Sequence, residues 1–352
     1  MNKNLFKTAL LAFFIVIAFI TLWEIYLRSK GVNIAYDDGK ELWSHHRASV
    51  YQSKENATVF IGSSRIKYAL DIATWKELTN GNKPIQLAIE GNSPLPVLED
   101  LAADENFQGN LVVDVTEGLF FSSSPFSLEF PREHVEYYKE RSPSEKVSFQ
   151  IKSGLESQFV FLDRDNFTID NIISNSIKTT NRKGVFAIPN QWPIEFGRIN
   201  FDRQNIMMDR FLRDTTLQKL VTGNWLFFAS IDTEKPAEGK KLDSFFTVIK
   251  QSVDKIKSRG GDVIFVRTPS SGPYWEEENT FFVREKYWDA LLKFTNCQGI
   301  HFKDYKETDH FICPEWSHLS PKDAITYTKH FVQTLREKGW SLNQTQTISY
   351  HH

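Results

Sequence analysis

Cysteine is nearly absent: Cys297 and Cys313 are the only two in 352 residues. Neither has the further Cys or His partners that a zinc site needs. One disulfide in an oxidising compartment and two unrelated free thiols remain equal readings. An excess of positive charge is also missing. Lys and Arg number 42 against 44 Asp and Glu, a net charge of −2, so the basic footprint of a nucleic-acid binder is absent and no such partner is expected. There is no long charge run, short-period repeat or low-complexity tract. The nine histidines show no ligand spacing beyond His45-His46 and the terminal His351-His352. Metal-dependent hydrolysis is therefore disfavoured, and no cofactor is expected.

What the chain does hold is apolar and aromatic. A hydrophobic content of 41% with 24% charged residues fits a globular protein with ample core. The length suits two domains, or one domain with a large insertion. Phe and Trp are plentiful, and their faces suit sugar or acyl groups, although most are expected in the core.

From Thr8 to Trp23 the chain is free of charge and almost wholly apolar. Lys3 and Lys7 precede this run, and Glu24 and Arg28 follow it. Leu5, Phe6, Ile25 and Tyr26 extend it towards the ~20 residues that cross a bilayer. Trp23 and Tyr26 suit the lipid–water interface. Bulky Trp23, Glu24, Ile25, Tyr26 and Leu27 stand where signal cleavage would need small residues. Residues 1–28 therefore read as an uncleaved signal anchor, with the lipid bilayer as partner through residues 5–26. A short N-terminus before a large domain favours a single-pass cell-membrane protein whose soluble part is periplasmic or extracellular.

Residues 29–56 read as a stem. Beyond them strand and helix signals alternate. Thr58–Gly62, Pro84–Ile89 and Asn110–Thr116 look like strands, and Leu95–Ala103 looks like a helix. Residues 122–235 break the pattern and read as a mostly helical insertion or cap. Regularity returns where Leu242, Phe245, Phe246, Ile249, Val253 and Ile256 share one helical face. Asp262–Thr268 and Gly299–Phe302 follow as strands, and Phe281–Phe294 looks helical. Ser320-Pro321-Lys322-Asp323 announces a final helix with an N-cap serine and proline at its first position. Short apolar runs separated by helices imply a doubly wound, mostly parallel α/β sheet. The expected domain is 57–121 with 236–340, interrupted by the insertion and ended by a tail, 341–352.

Two places carry chemistry. In Val59-Phe60-Ile61-Gly62-Ser63-Ser64-Arg65 an apolar run stops at glycine, placing Ser64 at the carboxyl edge of a sheet, where open α/β folds hold their sites. A serine nucleophile needs a base and an oxyanion site. Near the other end stands Glu315-Trp316-Ser317-His318-Leu319, just before the final helix. Glu315, three residues before His318, is suited to orient the imidazole, with Asp309 as the fallback acid.

Together these blocks resemble the SGNH (GDSL-like) hydrolase superfamily, which carries Gly-Asp-Ser after its first strand and Asp-x-x-His-Leu before its last helix. Here the first block is Gly62-Ser63-Ser64, and Glu315 stands in the usual Asp position. The second block looks like Ala88-Ile89-Glu90-Gly91-Asn92-Ser93. The resemblance implies a flavodoxin-like fold, Ser64 as nucleophile, His318 as base, Glu315 as orienting acid, and oxyanion donation by the Ser64 and Gly91 N–H groups. The third block departs from the family: Asp114-Val115-Thr116-Glu117-Gly118 lacks the usual asparagine, leaving Asn92 as a substitute donor. Such a missing donor costs about 100-fold in rate.

Within the superfamily the chain is most similar to membrane-anchored Gly-Ser-Ser-Arg proteins associated with polysaccharide O-acylation. That likeness implies an acylated surface glycan as substrate, a membrane-bound O-acyltransferase as a further partner, and a substrate-binding or structural role for Arg65. The loop 269–278 is expected to wall the pocket, and Arg267 to face the site or form a buried salt bridge. The leading expectation is an extracytoplasmic serine esterase or O-acyltransferase, acetyl being the first acyl group to consider. The alternative is a non-catalytic accessory protein of the same fold. A phosphopantetheine- or lipid-related esterase is a third option.

Overall fold

The computed structural model describes residues 3–176, 192–340 and 342. Part of the expected insertion (177–191) and nearly all of the expected tail, with His351-His352, lie outside the described residues. Two compact units emerge: 1–37 with 143–188, and 38–142 with 189–352. The expected insertion contributes to both.

The first unit contains the helix Lys3–Ser29. Its 26 residues Asn4–Ser29 are long and apolar enough to cross a membrane; at 1.5 Å per residue they reach about 39 Å, beyond the ~30 Å hydrocarbon core. The unit also holds the helices Pro143–Glu156 and Ile169–Ser176.

The second unit is α/β. Its sheet comprises β1 (Ala57–Ile61), β2 (Lys83–Gln86), β3 (Asn110–Asp114), β4 (Asp262–Arg267) and β5 (Gln298–His301). The strands lie in the order β2-β1-β3-β4-β5 and every pairing is parallel. Strand side chains alternate between two cores. Val59, Ile61, Leu111, Val113 and Phe265 pack with the helices Leu95–Ala103 and Lys240–Ser258. Phe60, Val112, Ile264, Val266 and Ile300 pack with Ile72–Leu78 and Pro321–Glu337. Burial on both faces is why these strands read as continuous apolar runs rather than alternating ones.

Ser320 caps the final helix, accepting the Asp323 N–H at 3.2 Å. The region expected as one helix from Phe281 is broken: Gly272–Phe281 ends at Phe282, and a π turn, Glu285–Asp289, leads into Ala290–Thr295. Residues 40–47, within the expected stem, form a helix of this unit. Trp43 is fully buried there, and Arg47 is paired with Asp100 and Asp104 at 2.8 Å each.

In this strand order the chain turns one way from β1 to β2 and the other way to β3. The carboxyl ends of β1 and β3 therefore flank a topological switch point, the usual ligand crevice of such sheets. Ser64 follows β1 and Thr116 follows β3.

Candidate active site

Gly62 is required by a close approach: a Cβ there would lie 2.6 Å from the Asp114 Cβ on β3. The chain then enters the short helix Ser64–Ala69. Ser63, its N-cap, is buried and shares a 2.8 Å hydrogen bond with the Thr116 hydroxyl. Ser64 is the only residue from Ala57 to Leu70 that is not buried. The adjacent serines thus separate into a buried structural hydroxyl and an accessible one.

The accessible hydroxyl meets His318. Ser64 Oγ lies 2.7 Å from His318 Nε2, across 254 positions of sequence. His318 Nδ1 lies 3.0 Å from Glu315 Oε1, and the same oxygen accepts the His318 backbone N–H at 2.7 Å. Glu315 therefore fixes both the ring and the main chain of His318. Asp309 stands elsewhere, 3.4 Å from the His310 ring.

Glu315 is fully buried, and its second oxygen needs a donor, since a lone buried carboxylate oxygen is costly. That donor is Trp225, whose indole N–H lies 2.6 Å from Oε2. Trp225 comes from the helix Thr215–Ile231. Aromatic rings enclose the base: the centroids of Tyr68, Phe196 and Trp225 lie 4.4, 5.7 and 5.9 Å from that of His318. These three residues escaped the sequence reading, where aromatics counted as core. Only Tyr68 carried a local signal, standing one helical turn after Ser64.

The loop bearing Glu315 and His318 is itself constrained. Trp316 adopts φ +78°, a left-handed conformation that is a genuine outlier for a bulky residue. The Ser271 N–H holds the Trp316 carbonyl at 2.8 Å, and the Ser271 hydroxyl accepts the Cys313 N–H at 2.9 Å. Residues 269–278, expected as a wall, thus brace the His318 loop. Cys313 and Cys297 are both free thiols.

Arg65 is buried. It donates to Ser317 at 3.1 Å, pairs with Glu278, and lies over the Tyr274 ring at 5.4 Å. Only its Nη1 lacks a hydrogen-bond partner. Arg267 is a buried salt bridge, 2.9 Å from Glu117 and 2.5 Å from Glu278. Burial alone would raise the Glu278 carboxyl, but Arg267 and Arg65 outweigh it and hold the group below its ordinary range. Asp114 goes the other way: burial pushes its carboxyl up to about 6, although Thr268 donates to it at 2.8 Å.

In the second block, where oxyanion donation was expected, Gly91 has φ +65°, a conformation glycine adopts without steric cost. Among the described residues, the backbone N–H groups of Ser64 and Gly91 donate to no protein acceptor. The Asn92 amide turns back to the Glu90 carbonyl at 2.5 Å, and Thr116 is engaged by Ser63. Among the described residues no group of three or more His, Cys, Asp or Glu is arranged to hold a metal.

No family model and no curated protein matches this chain. A hydroxyl, an imidazole and a carboxylate linked in that order are the parts of nucleophilic acyl transfer.

Proposed function

We propose that this chain is a membrane-anchored serine esterase or O-acyltransferase of the SGNH (GDSL-like) kind, acting outside the cytoplasm on acylated surface glycan. The observation that carries the reading is the hydrogen-bond chain Ser64–His318–Glu315, with its 2.7 Å nucleophile–base contact. The switch-point position between β1 and β3 adds to it. The anchor and Ser64-Arg65 favour the polysaccharide-modifying group.

In this reading Ser64 Oγ attacks the acyl carbonyl while His318 Nε2 takes its proton. The Ser64 and Gly91 N–H groups stabilise the oxyanion that forms. Collapse of the tetrahedral intermediate breaks the bond to the leaving sugar oxygen, which receives the proton from His318. The acyl-serine is then attacked by water or by a second sugar hydroxyl, and His318 again relays the proton.

The purified full chain in detergent, offered p-nitrophenyl acetate, tests the chemistry. Turnover abolished by Ser64→Ala and by His318→Ala is the expected result. No turnover, together with no labelling of Ser64 by a serine-reactive phosphonate, sinks the enzyme reading. It leaves the accessory-protein alternative, which the absence of a third-block amide donor favours. Release of acetate from an O-acetylated polysaccharide then tests the substrate class.

A further inference from the structure

One helix of the first unit leaves an aliphatic stripe bare. Pro143–Glu156 buries Phe149, Ser153 and Glu156, spaced i, i+4 and i+7. Its exposed apolar residues, Val147, Ile151 and Leu155, are spaced i, i+4 and i+8, with Ile151 61% exposed. At about 100° per residue these two sets point about 170° apart. One aromatic ring, a hydroxyl and a carboxylate therefore face inward while three aliphatic side chains face outward. On the inward side Lys152 lies 3.7 Å from Glu156, an ion pair beyond hydrogen-bond reach, and 2.6 Å from Asp37, and the Glu156 Oε1 has no hydrogen-bond partner among the described residues.

The helix Ile169–Ser176 shows a similar exposure. Ile169, Ile172 and Ile173, at i, i+3 and i+4, are all exposed, Ile169 to 76%. Phe159, between the two helices, is exposed as well. Single exposed apolar residues are ordinary, but two such stripes in one unit mark a contact surface.

The helix to which this segment is clamped indicates what covers the surface. The Glu24 carboxylate accepts the N–H groups of Val160 and Phe161 at 3.0 and 3.1 Å. Arg28 donates to the Gln158 carbonyl at 2.7 Å. The Trp23 ring meets Phe167 edge-on at 6.3 Å and stacks on Tyr26 at 5.6 Å. Trp and Tyr at the end of a membrane helix sit at headgroup level. Residues 158–167 are thereby held at that depth, and Ile169 follows within two residues.

We propose that Pro143–Glu156 and Ile169–Ser176 lie on the bilayer surface beside the anchor, with Val147, Ile151, Leu155, Ile169 and Ile173 in the headgroup–acyl boundary. The inference rests on the reading that Asn4–Ser29 crosses a bilayer. The occupant of the exposed stripes is lipid, and surface helices of this kind sink their apolar faces about 5–10 Å into the boundary.

The test uses the full chain with Cys297→Ser, reconstituted in phosphatidylethanolamine–phosphatidylglycerol vesicles. Spin labels go on single cysteines replacing Ile151, Ile169, Phe14 or Lys255, all exposed side chains. Accessibility to oxygen is compared with accessibility to a water-soluble nickel chelate. The expected result is oxygen-dominated accessibility at Ile151 and Ile169, as at Phe14, with the reverse at Lys255. Nickel-dominated accessibility at 151 and 169 while Phe14 stays in lipid overturns this proposal alone. Labels at 151 and 169 shielded from both reagents also overturn it, pointing to a protein partner. Nickel-dominated accessibility at Phe14 overturns the anchor reading, and this proposal with it.

Discussion

On one side of Ser64 a continuous relay runs from its hydroxyl to His318, Glu315 and Trp225, each contact at 3.0 Å or less. Set against it are the donors proposed for the oxyanion: two backbone N–H groups with no protein acceptor among the described residues, and an Asn92 and a Thr116 already engaged elsewhere. The difference follows from what each half must do at rest. A buried carboxylate has to be fully hydrogen-bonded in the folded protein, or its desolvation is uncompensated. Oxyanion donors act best on charge that appears only in the transition state, so they belong among the groups left without a protein partner. The hydrogen-bonded relay is therefore complete at rest, whereas the donors proposed for the oxyanion are distinguished only by having no protein acceptor among the described residues.

The strongest blow to the relay side is Ser64→Ala, expected to lower acyl-ester turnover by about 10⁴-fold or more in a kcat measurement. Glu315→Gln is next, about 10³- to 10⁴-fold in kcat with little change in KM. The amide presents the wrong hydrogen-bonding partner to either the imidazole or the Trp225 N–H.

Beneath the oxyanion side, Asp114→Asn probes the ground on which Gly62 rests. The Asp114 carboxyl is raised to about 6 by burial, above its unfolded value of about 3.9. The folded state thus holds an extra proton between about pH 4 and pH 6. Stability from this group falls as pH rises through that window, by about 3 kcal/mol, and the loss is complete above it. The Asn variant should melt higher than the native protein near pH 7.5, with the gap shrinking to about a third of that free energy near pH 4.5, by thermal denaturation at both values.

Trp225→Phe keeps the ring beside His318 and deletes one donor to Glu315. About a tenfold fall in kcat at constant KM is expected, because loss of a hydrogen bond to a charged group costs about 1.5 kcal/mol. Thr116→Asn is the smallest step, restoring an amide where the third block lacks one. A severalfold rise in kcat is expected; an unchanged rate would mean that the two N–H groups suffice.

Much of this was legible because it is local. The apolar runs of β1 and β3, the Ser320 cap and the glycine at 91 each depend on backbone geometry within a few residues. Ser64, Glu315 and His318 were legible for the same reason: each sits where a strand or loop gives way to a helix. Trp225 was not, since it lies 90 positions from Glu315 on a helix without a motif. Arg65 showed itself as a cation, but its enclosure by Ser317, Glu278 and Tyr274 depends on chain segments more than 200 positions away. Within Pro143–Glu156 the apolar stripe Val147, Ile151 and Leu155 is present in the sequence, yet periodicity alone does not say whether that face turns inward.

By itself, then, the sequence determined the elements, their caps, the long apolar N-terminal helix and the residue types capable of acyl transfer, because those depend on side-chain pattern and local backbone preference. The tertiary structure decided which carboxylate serves His318, which indole holds that carboxylate, how Arg65 is used and which helical faces are left bare. These are consequences of burial, and burial exists only once segments distant in sequence have packed together.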